Sequence, residues 1–232
     1  MTSLAGSSIL VVGATGGLGR EIAQILSAEG ALLTLHGRTP ERLASLGIAA
    51  ARVTGDLLEP ETAAQLVAAS LNAHGRLDGV VNAAGVVAFG PMAEVSDDTI
   101  DTLMTVNATA PMRLLRAAYP ALAESSGSHR DPFFLTLSGV VSESPTANMA
   151  AYSASKAALA AFAKAAGREL RRDGIRFLDA RPGHTETGLA TRPIQGSTPR
   201  LPAGFSPADV ARRVVDAIVA GERDLPSTAF TS

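Results

Sequence analysis

The chain has 232 residues, no cysteine, and a formal net charge of −2 at pH 7. This length suits one domain with a core large enough to be stable without disulfides or metals, and the missing cysteines exclude thiolate metal sites and cysteine nucleophiles. Charges form no long run of one sign, no apolar stretch could cross a bilayer, and no basic segment precedes the first apolar run. We therefore expect a cytoplasmic protein, one domain over residues 1–232, with neither a membrane nor a nucleic acid as partner.

The first predicted strand, Ile9–Val12, leads directly into a glycine-rich turn and a predicted helix. The turn reads Gly13-Ala14-Thr15-Gly16-Gly17-Leu18-Gly19. Glycine lets a backbone approach a pyrophosphate closely, and a helix N-terminus attracts that anion. The spacing G-x-x-x-G-x-G differs from G-x-G-x-x-G and lacks the lysine of a P-loop. The turn therefore predicts a dinucleotide-binding site. The missing P-loop lysine argues against hydrolysis of a nucleoside triphosphate.

The ends of the second and third predicted strands indicate how a nucleotide is held. Leu32–His36 is followed by Arg38 and by no carboxylate. A carboxylate would favour the ribose 2′-hydroxyl of NAD, whereas a planar guanidinium suits the 2′-phosphate of NADP. Asp56 follows the strand Ala51–Val53, where it can accept a hydrogen bond from an adenine amino group or cap a helix. The sequence therefore predicts NADP, with NAD as the alternative.

Tyr152 and Lys156 lie four residues apart in an alanine-rich run that predicts a helix over Ala150–Arg172. Positions i and i+4 share one helix face, so the phenol and the ammonium point into the same space. A tyrosine with a pKa near ~10 is a poor base at neutral pH, and a nearby positive charge favours its phenolate. The pair is therefore interpreted as a tuned proton donor and acceptor, or else as part of a solvated helix face.

An irregular, proline-containing stretch follows the strand Ile175–Ala180. It runs from Thr191 to Pro207. Ligands of doubly wound sheets bind outside the carboxyl ends of the strands, so a segment at this place can cover a ligand. We expect residues 188–207 to form a substrate-covering loop, with an ordinary surface loop as the alternative.

Short apolar runs alternate with longer helical runs along the chain. Further predicted strands are Gly79–Asn82 and Phe133–Ser138, and further predicted helices are Gly17–Ala28, Pro40–Leu46, Pro60–Asn72 and Thr99–Ala123. Such alternation predicts an α/β fold, a doubly wound (Rossmann) parallel sheet with helices on both faces.

These motifs together resemble the short-chain dehydrogenase/reductase family, in its short single-domain branch. The resemblance extends from about Ile9 to Gly221 and includes the glycine-rich turn, the pair Asp56-Leu57, and Tyr152-x-x-x-Lys156. It also includes Asn82-Ala83-Ala84-Gly85, Asn107 in the long helix, and Pro182-Gly183-His184-Thr185-Glu186-Thr187. Several motifs in the right order make the resemblance specific.

The resemblance implies an oxidoreductase that transfers a hydride between NADP, or NAD, and a carbonyl or alcohol carbon of a small molecule. Tyr152 would be the general acid or base, Lys156 would lower its pKa and bind the nicotinamide ribose, and Asn107 would position a water beside Lys156. The implied cofactor contacts are Gly13, Thr15, Gly16, Gly17, Leu18, Gly19, Arg38, Asp56, Leu57, Asn82, Ala83, Ala84, Gly85, Tyr152, Lys156, Pro182, Gly183, Thr185 and Thr187. No metal is expected.

Two departures from the family pattern affect the expectations. The family's catalytic serine lies 13 residues before the tyrosine, where this chain has Gly139. We expect Ser138 to take that role, with Ser142, Ser144 or no serine as alternatives. The sequence after Leu225 lacks the family's usual C-terminal packing segment, so a homo-oligomer, dimer or tetramer, is an expectation from the resemblance alone.

Two other classes of protein remain open at this point. A non-catalytic NAD(P)-binding sensor or partner module would tolerate Gly139 but would not need Asn107, Tyr152 and Lys156 together. A nucleotide-sugar epimerase or dehydratase would need a further substrate domain, for which the 50 residues after Pro182 leave little room. Acyl, ketone, steroid-like, quinone and sugar carbonyls all remain compatible as substrates.

Overall fold

The computed structural model describes residues 2–230, so Met1, Thr231 and Ser232 of the expected domain lie outside it. The amino-terminal half alternates strands and helices. In chain order the elements are β1 (Ser8–Val12), α1 (Gly17–Ala28), β2 (Leu32–Gly37), α2 (Pro40–Ala44), β3 (Ala51–Thr54), α3 (Thr62–His74) and β4 (Gly79–Asn82).

The carboxyl-terminal half continues the alternation with longer helices. Its elements are α4 (Asp97–Met104), α5 (Ala110–Gly127), β5 (Phe133–Leu137), α6 (Ala150–Leu170), β6 (Arg176–Ala180), α7 (Pro207–Ala220) and β7 (Asp224–Leu225). A π-helical turn, Thr105–Thr109, joins α4 to α5. Short 3-10 turns flank β4, β5, α6 and β7.

Within the described residues, seven strands form one sheet in the order β3-β2-β1-β4-β5-β6-β7, and every neighbouring pair is parallel. The strand order reverses between β1 and β4. Ligands of such sheets bind at this reversal, outside the carboxyl ends of the strands. The predicted α/β doubly wound sheet is confirmed.

Two apolar layers hold the helices against the sheet. Ile9 and Val11 of β1 face the layer that α1 and α7 cover, and Leu10 and Val12 face the layer under α3, α5 and α6. Both faces are buried, which explains why the strands are apolar without alternation. All four of these side chains are fully buried.

All six predicted strands are present, whereas β7 and α7 were not predicted. Strand β7 has two residues and pairs with β6. Two residues are too few to show the apolar pattern of a strand in the sequence. Helix α7 had a readable start. The Ser206 hydroxyl accepts from the Asp209 N–H at 3.4 Å, Pro207 is the first helical residue, and Gly221 ends the helix at φ 78°. The irregular stretch therefore ends before Pro207.

Candidate active site

The turn after β1 is closely packed against the turn after β4. Gly13 has φ 79°, and a Cβ on it would lie 2.8 Å from both Cα and N of Ala84. Only glycine fits this position, because a side chain would collide with backbone. The structure thus joins the glycine-rich turn to the segment Asn82–Gly85.

The N-terminus of α1 offers unpartnered donors at this edge. No side chain caps it, and its first turn contains no acidic residue. The first N–H groups of a helix have no partner within the helix, and they carry partial positive charge. Gly19 is fixed here because a Cβ would collide with the Gly13 carbonyl oxygen. The residues of this turn fit a dinucleotide pyrophosphate.

His36 lies behind the turn, and its role was not foreseen from the sequence. Its Nδ1 accepts from the Gly13 N–H at 3.3 Å, and its Nε2 lies 3.1 Å from the Gly55 carbonyl oxygen. The side chain is buried, and burial lowers its pKa despite the opposing bond to Gly55. His36 therefore orients the turn as a neutral imidazole.

The predicted adenosine-side residues lie beyond β2 and β3. Arg38 is exposed, and Arg42 of α2 donates to the Thr15 carbonyl at 3.1 Å. The Asp56 carboxylate accepts from the Leu58 N–H at 3.0 Å, which is a local turn and not a cap of α3. Leu57 packs against the apolar layer under α3. Arg42 thus reaches the glycine-rich turn, and Arg38 follows Gly37, where a Cβ would lie 2.7 Å from the Thr15 side chain.

The segment after β4 also touches the predicted proton-relay residues. A Cβ on Gly85 would lie 3.3 Å from both the Asn107 Oδ1 and the Lys156 Nζ. Asn107 is fully buried in the π-helical turn and exchanges two hydrogen bonds with the Val86 backbone, at 3.0 and 2.9 Å. One chain segment therefore connects the glycine-rich turn with Asn107 and Lys156.

Ser155 completes this arrangement and was not predicted. Its hydroxyl accepts from the Asn107 Nδ2 at 3.0 Å and donates to the Tyr152 carbonyl at 2.8 Å. The π-helical turn inserts an extra residue into a helix, which re-aims the side chains around it. Neither feature has a clear signal in the sequence, because both depend on how the π-helical turn packs against α6.

Tyr152 and Lys156 lie on one face of α6, as their spacing predicts. The Lys156 Nζ lies 6.0 Å from the Tyr152 ring centroid and donates to the Leu137 carbonyl at 2.8 Å. Burial lowers the pKa of Lys156 to about 8, opposed by the negative charge of Asp179. Burial also raises the pKa of Tyr152 to about 12. The expected lowering of the Tyr152 pKa by Lys156 is therefore not found in this structure.

Ser138 lies just beyond β5 and is fully buried. Its hydroxyl donates to the Asp179 Oδ2 at 2.6 Å and accepts from the Ser142 hydroxyl at 3.3 Å. Gly139 has φ 76° and ψ 163°, a conformation open to glycine alone. A serine at position 139 would be strained, so the backbone here accounts for the departure from the family pattern.

The segment Pro182–Thr187 returns the chain to the glycine-rich turn. The Pro182 carbonyl accepts from the Val140 N–H at 2.9 Å, and the Thr185 hydroxyl donates to the Gly183 carbonyl at 3.0 Å. A Cβ on Gly17 would collide with Thr187. Thr187 is therefore beside the N-terminus of α1, while Thr185 is held within its own loop.

The segment that contains Ile194 and Gln195 lies across the loop that follows β4. Ile194 donates to the Val87 carbonyl at 2.9 Å, and Phe89 donates to the Gln195 carbonyl at 3.0 Å. The Gln195 side chain binds Glu94 and Ser96. This part of residues 188–207 thus lies over the loop that leads from Gly85 to α4.

Residues 2–230 contain neither a cluster of metal-binding side chains nor a membrane-spanning helix. No group of three or more histidine and acidic side chains is arranged to hold a metal ion. None of the helices in this part of the chain is long and apolar enough to span a membrane.

The chain is similar in sequence to known proteins. A family model described as short chain dehydrogenase matches residues 7–196, well over half of the chain. A mouse protein, dehydrogenase/reductase SDR family member 7B, is 30% identical over 240 residues, which cover 96% of this chain and 73% of the relative.

Solved structures agree in fold. A metagenomic short-chain oxidoreductase in complex with NADP is 30% identical, with TM-score 0.79 over 97% of this chain and 98% of that one. A short-chain dehydrogenase/reductase from Burkholderia phymatum in complex with NAD has TM-score 0.87 over 98% and 90% of the chains. Its identity is 21%, so it supports the fold alone.

Proposed function

Because the chain belongs to the short-chain dehydrogenase/reductase family of NAD(P)-dependent oxidoreductases, we propose that it interconverts a carbonyl and an alcohol with NADP as cofactor and Tyr152 as acid and base. One observation carries the proposal. The segment Asn82–Gly85 touches Gly13 on one side and both Asn107 and Lys156 on the other. A cofactor-binding turn and a proton relay are thereby brought to one strand end.

In the reducing direction, Tyr152 acts as the proton donor. A bound reduced nicotinamide would supply the hydride to the carbonyl carbon. The carbonyl π electrons become a lone pair on oxygen, and that oxygen takes the proton of the Tyr152 hydroxyl. With a pKa of about 12 the phenol is protonated at neutral pH, so the donor form is the resting form.

Lys156 stabilises the phenolate that remains. With a pKa of about 8 it is mostly an ammonium at pH 7, and an opposite charge nearby favours an ionised phenol. Asn107 is held by the Val86 backbone and by Ser155, so it can orient a water beside Lys156 without moving. That water would return a proton from solvent.

The substrate oxygen needs a second hydrogen-bond donor. Ser138 is the predicted donor, but its hydroxyl is committed to Asp179. Ser142 bonds to Ser138 at 3.3 Å and is more exposed. We therefore assign the orienting role to this hydrogen-bonded pair, with Ser142 as the more exposed member and Ser138 held by Asp179. Residues 188–207 are proposed to cover the substrate, supported by their seat over Val87 and Phe89.

The preference for NADP is supported by cations near the glycine-rich turn. Arg38 follows β2 where NAD enzymes of this fold carry a carboxylate. Arg42 is anchored to the Thr15 carbonyl, so a 2′-phosphate would meet a second guanidinium. The metagenomic relative in complex with NADP is consistent with this preference.

A homo-oligomer is also part of the proposal. Met112 and Tyr119 of α5 remain 38% and 39% exposed beside a groove that Phe162 of α6 helps to line. Packing against a second copy would cover these apolar groups. Light scattering of the purified protein measures the state directly, and a monomer at working concentration would contradict it.

Tyr152→Phe tests the function, with Tyr119→Phe as its matched control. These are the two tyrosines of the chain, and the Tyr119 hydroxyl binds Asp173 at the surface. We expect turnover of a responsive carbonyl with NADPH to fall by about 100-fold or more in Tyr152→Phe. Affinity for NADPH, measured by fluorescence titration, should stay within about twofold of wild type. Unchanged turnover would remove Tyr152 from the mechanism.

A non-catalytic NADP-binding module is the second candidate. The glycine-only backbone conformation at Gly139, which excludes a serine there, and the burial of Ser138 favour it. Tight NADPH binding without turnover across aliphatic, aromatic, quinone and acyl-thioester carbonyls would select this candidate. Turnover of any of them would exclude it.

A further inference from the structure

We propose that Asp179 is a positioning residue of the active site, which holds the Ser138 hydroxyl and supplies the negative charge that keeps Lys156 protonated. The proposal rests on the proposed function, since it assigns Asp179 through Ser138 and Lys156. Asp179 belongs to none of the motifs that identify the cofactor or proton-relay residues. It is a carboxylate on a buried strand, 4% exposed, where most sequences of this pattern place apolar residues.

Strand register brings Asp179 to the end of β5. Thr136 pairs with Asp179, and Leu137 pairs with Ala180. The Asp179 Oδ1 accepts from the Thr136 hydroxyl at 2.9 Å, and its Oδ2 accepts from Ser138 at 2.6 Å. The Lys156 Nζ binds the carbonyl of Leu137, between these two residues. The carboxylate and the ammonium therefore meet the same three-residue segment.

A buried carboxylate needs partners, and Arg181 provides the charged one. The Arg181 Nη1 lies 3.1 Å from the Asp179 Oδ2. Arg181 also forms ion pairs with Glu143 and, at 2.8 Å, with Asp224 of β7. Burial raises the pKa of Asp179, and hydrogen bonds from Ser138, Thr136 and Arg181 oppose that shift. The direct ion pair with Arg181 favours the ionised form of the carboxylate.

The surplus of negative charge in this cluster acts on Lys156. Arg181 is matched by three carboxylates, those of Asp179, Glu143 and Asp224. Of the three, Asp179 is the one whose charge raises the Lys156 pKa against the effect of burial. Tyr152 is the other titratable group that faces Lys156, at 6.0 Å from its ring centroid, and it is neutral at rest. A neutral residue at position 179 would remove the charge that opposes the effect of burial on Lys156.

The chain makes the lysine titration directly measurable. It contains two lysines, Lys156 and Lys164, both on α6. Lys164 is exposed and serves as an internal reference. Protein labelled with 13C and 15N in lysine would give two side-chain signals, and a Lys164→Arg variant would assign them. No turnover is needed for this measurement, so it can fail or succeed independently of the proposed function.

We expect Asp179→Asn to lower the Lys156 titration midpoint by about one pH unit, because a carboxylate favours the ammonium form and an amide does not. The alkaline limb of the kcat/KM profile should move down with it, while the Lys164 midpoint stays in place. Asp224→Asn is the matched control, since it removes an ion pair to the same Arg181 at a side chain that is 61% exposed. An unchanged Lys156 midpoint in Asp179→Asn, or an equal shift in Asp224→Asn, would overturn the proposal.

A second variant acts on the same carboxylate without replacing it and covers the case in which Asp179→Asn does not fold. Arg181→Met removes the ion partner that favours the ionised carboxylate, so Asp179 should take up a proton more readily and the Lys156 midpoint should fall. A rise or no change in that variant would contradict the assigned charge balance. If instead Tyr152→Phe kept full turnover, the proposed function would fail while both lysine titrations would still stand.

Discussion

Backbone atoms line the strand ends in the amino-terminal half of the sheet, whereas side chains line them in the carboxyl-terminal half. After β1 and β4 the chain presents glycine turns and the N–H groups of α1. After β5 and β6 it presents Ser138, Asp179 and Arg181 in one hydrogen-bonded cluster. A pyrophosphate can be held by backbone in any sequence that folds this turn. Proton transfer needs particular side chains whose charges are set by their neighbours.

Gly19→Ala should disrupt the glycine-rich turn of the amino-terminal half, and its effect should be the largest. A Cβ at this position would collide with the Gly13 carbonyl oxygen, so either α1 or the turn must shift. We expect the free energy of unfolding to fall by about 3 kcal/mol and NADPH affinity to fall by about 100-fold or more. Urea denaturation and fluorescence titration measure the two effects.

Gly127→Ala is the control for that variant. Gly127 lies at the end of α5, and nothing lies within 4 Å of a Cβ built on it. Stability should be unchanged or rise slightly, because alanine is the better helix former. Equal losses in the two variants would show that close packing at Gly13 is not what requires glycine.

Gly139→Ser tests why the side-chain half lacks the family's serine. The backbone at φ 76° and ψ 163° is open to glycine alone. We expect the substitution to lower the free energy of unfolding by about 1–3 kcal/mol, and to leave turnover no higher than in wild type. Ser142→Ala, at a neighbouring position with ordinary backbone, should cost less stability. A stable Gly139→Ser variant with raised turnover would mean that position 139 can accept the serine.

Arg38→Ala tests whether the amino-terminal half prefers NADP to NAD. Loss of one cation facing a 2′-phosphate should reduce the NADPH/NADH ratio of kcat/KM by about 10-fold or more, since charge-assisted bonds contribute roughly 1.5–3 kcal/mol. Arg212→Ala, an exposed arginine of α7 that faces Glu29, changes the net charge equally and should leave the ratio unaltered. A wild-type ratio near one would already refute the preference for NADP.

The smallest expected effect is that of His36. Its protonation makes the stability of the amino-terminal half depend on pH. Burial lowers its folded-state pKa below the ordinary 6.5, so the unfolded chain binds a proton first. Stability is therefore complete above about pH 6.5 and is lost as pH falls from there through the folded-state pKa. Denaturation at several pH values between 5 and 7 should show stability falling with pH in wild type and a shallower slope in His36→Gln. An equal slope in the two proteins would remove His36 as the cause.

Local patterns predicted the parts of this protein that depend on neighbours in sequence. Runs of three to six residues predicted six strands, and the glycine spacing located the turn before α1. The four-residue spacing of Tyr152 and Lys156 placed them on one face of α6. Helix α7 also has a local signal, because Ser206 and Pro207 mark its start in the sequence.

Tertiary structure alone decided what surrounds those residues. The fate of Ser138 depends on Asp179, 41 residues away, through the register of β5 with β6. The Tyr152 pKa rises instead of falling, because burial acts on the phenol while the Lys156 ammonium is held by the Leu137 carbonyl. Hydrogen bonding and desolvation depend on which chain segments pack together, and spacing within one segment carries no record of that. The sequence therefore determined the fold and the candidate residues of the site, and packing determined their charges and partners.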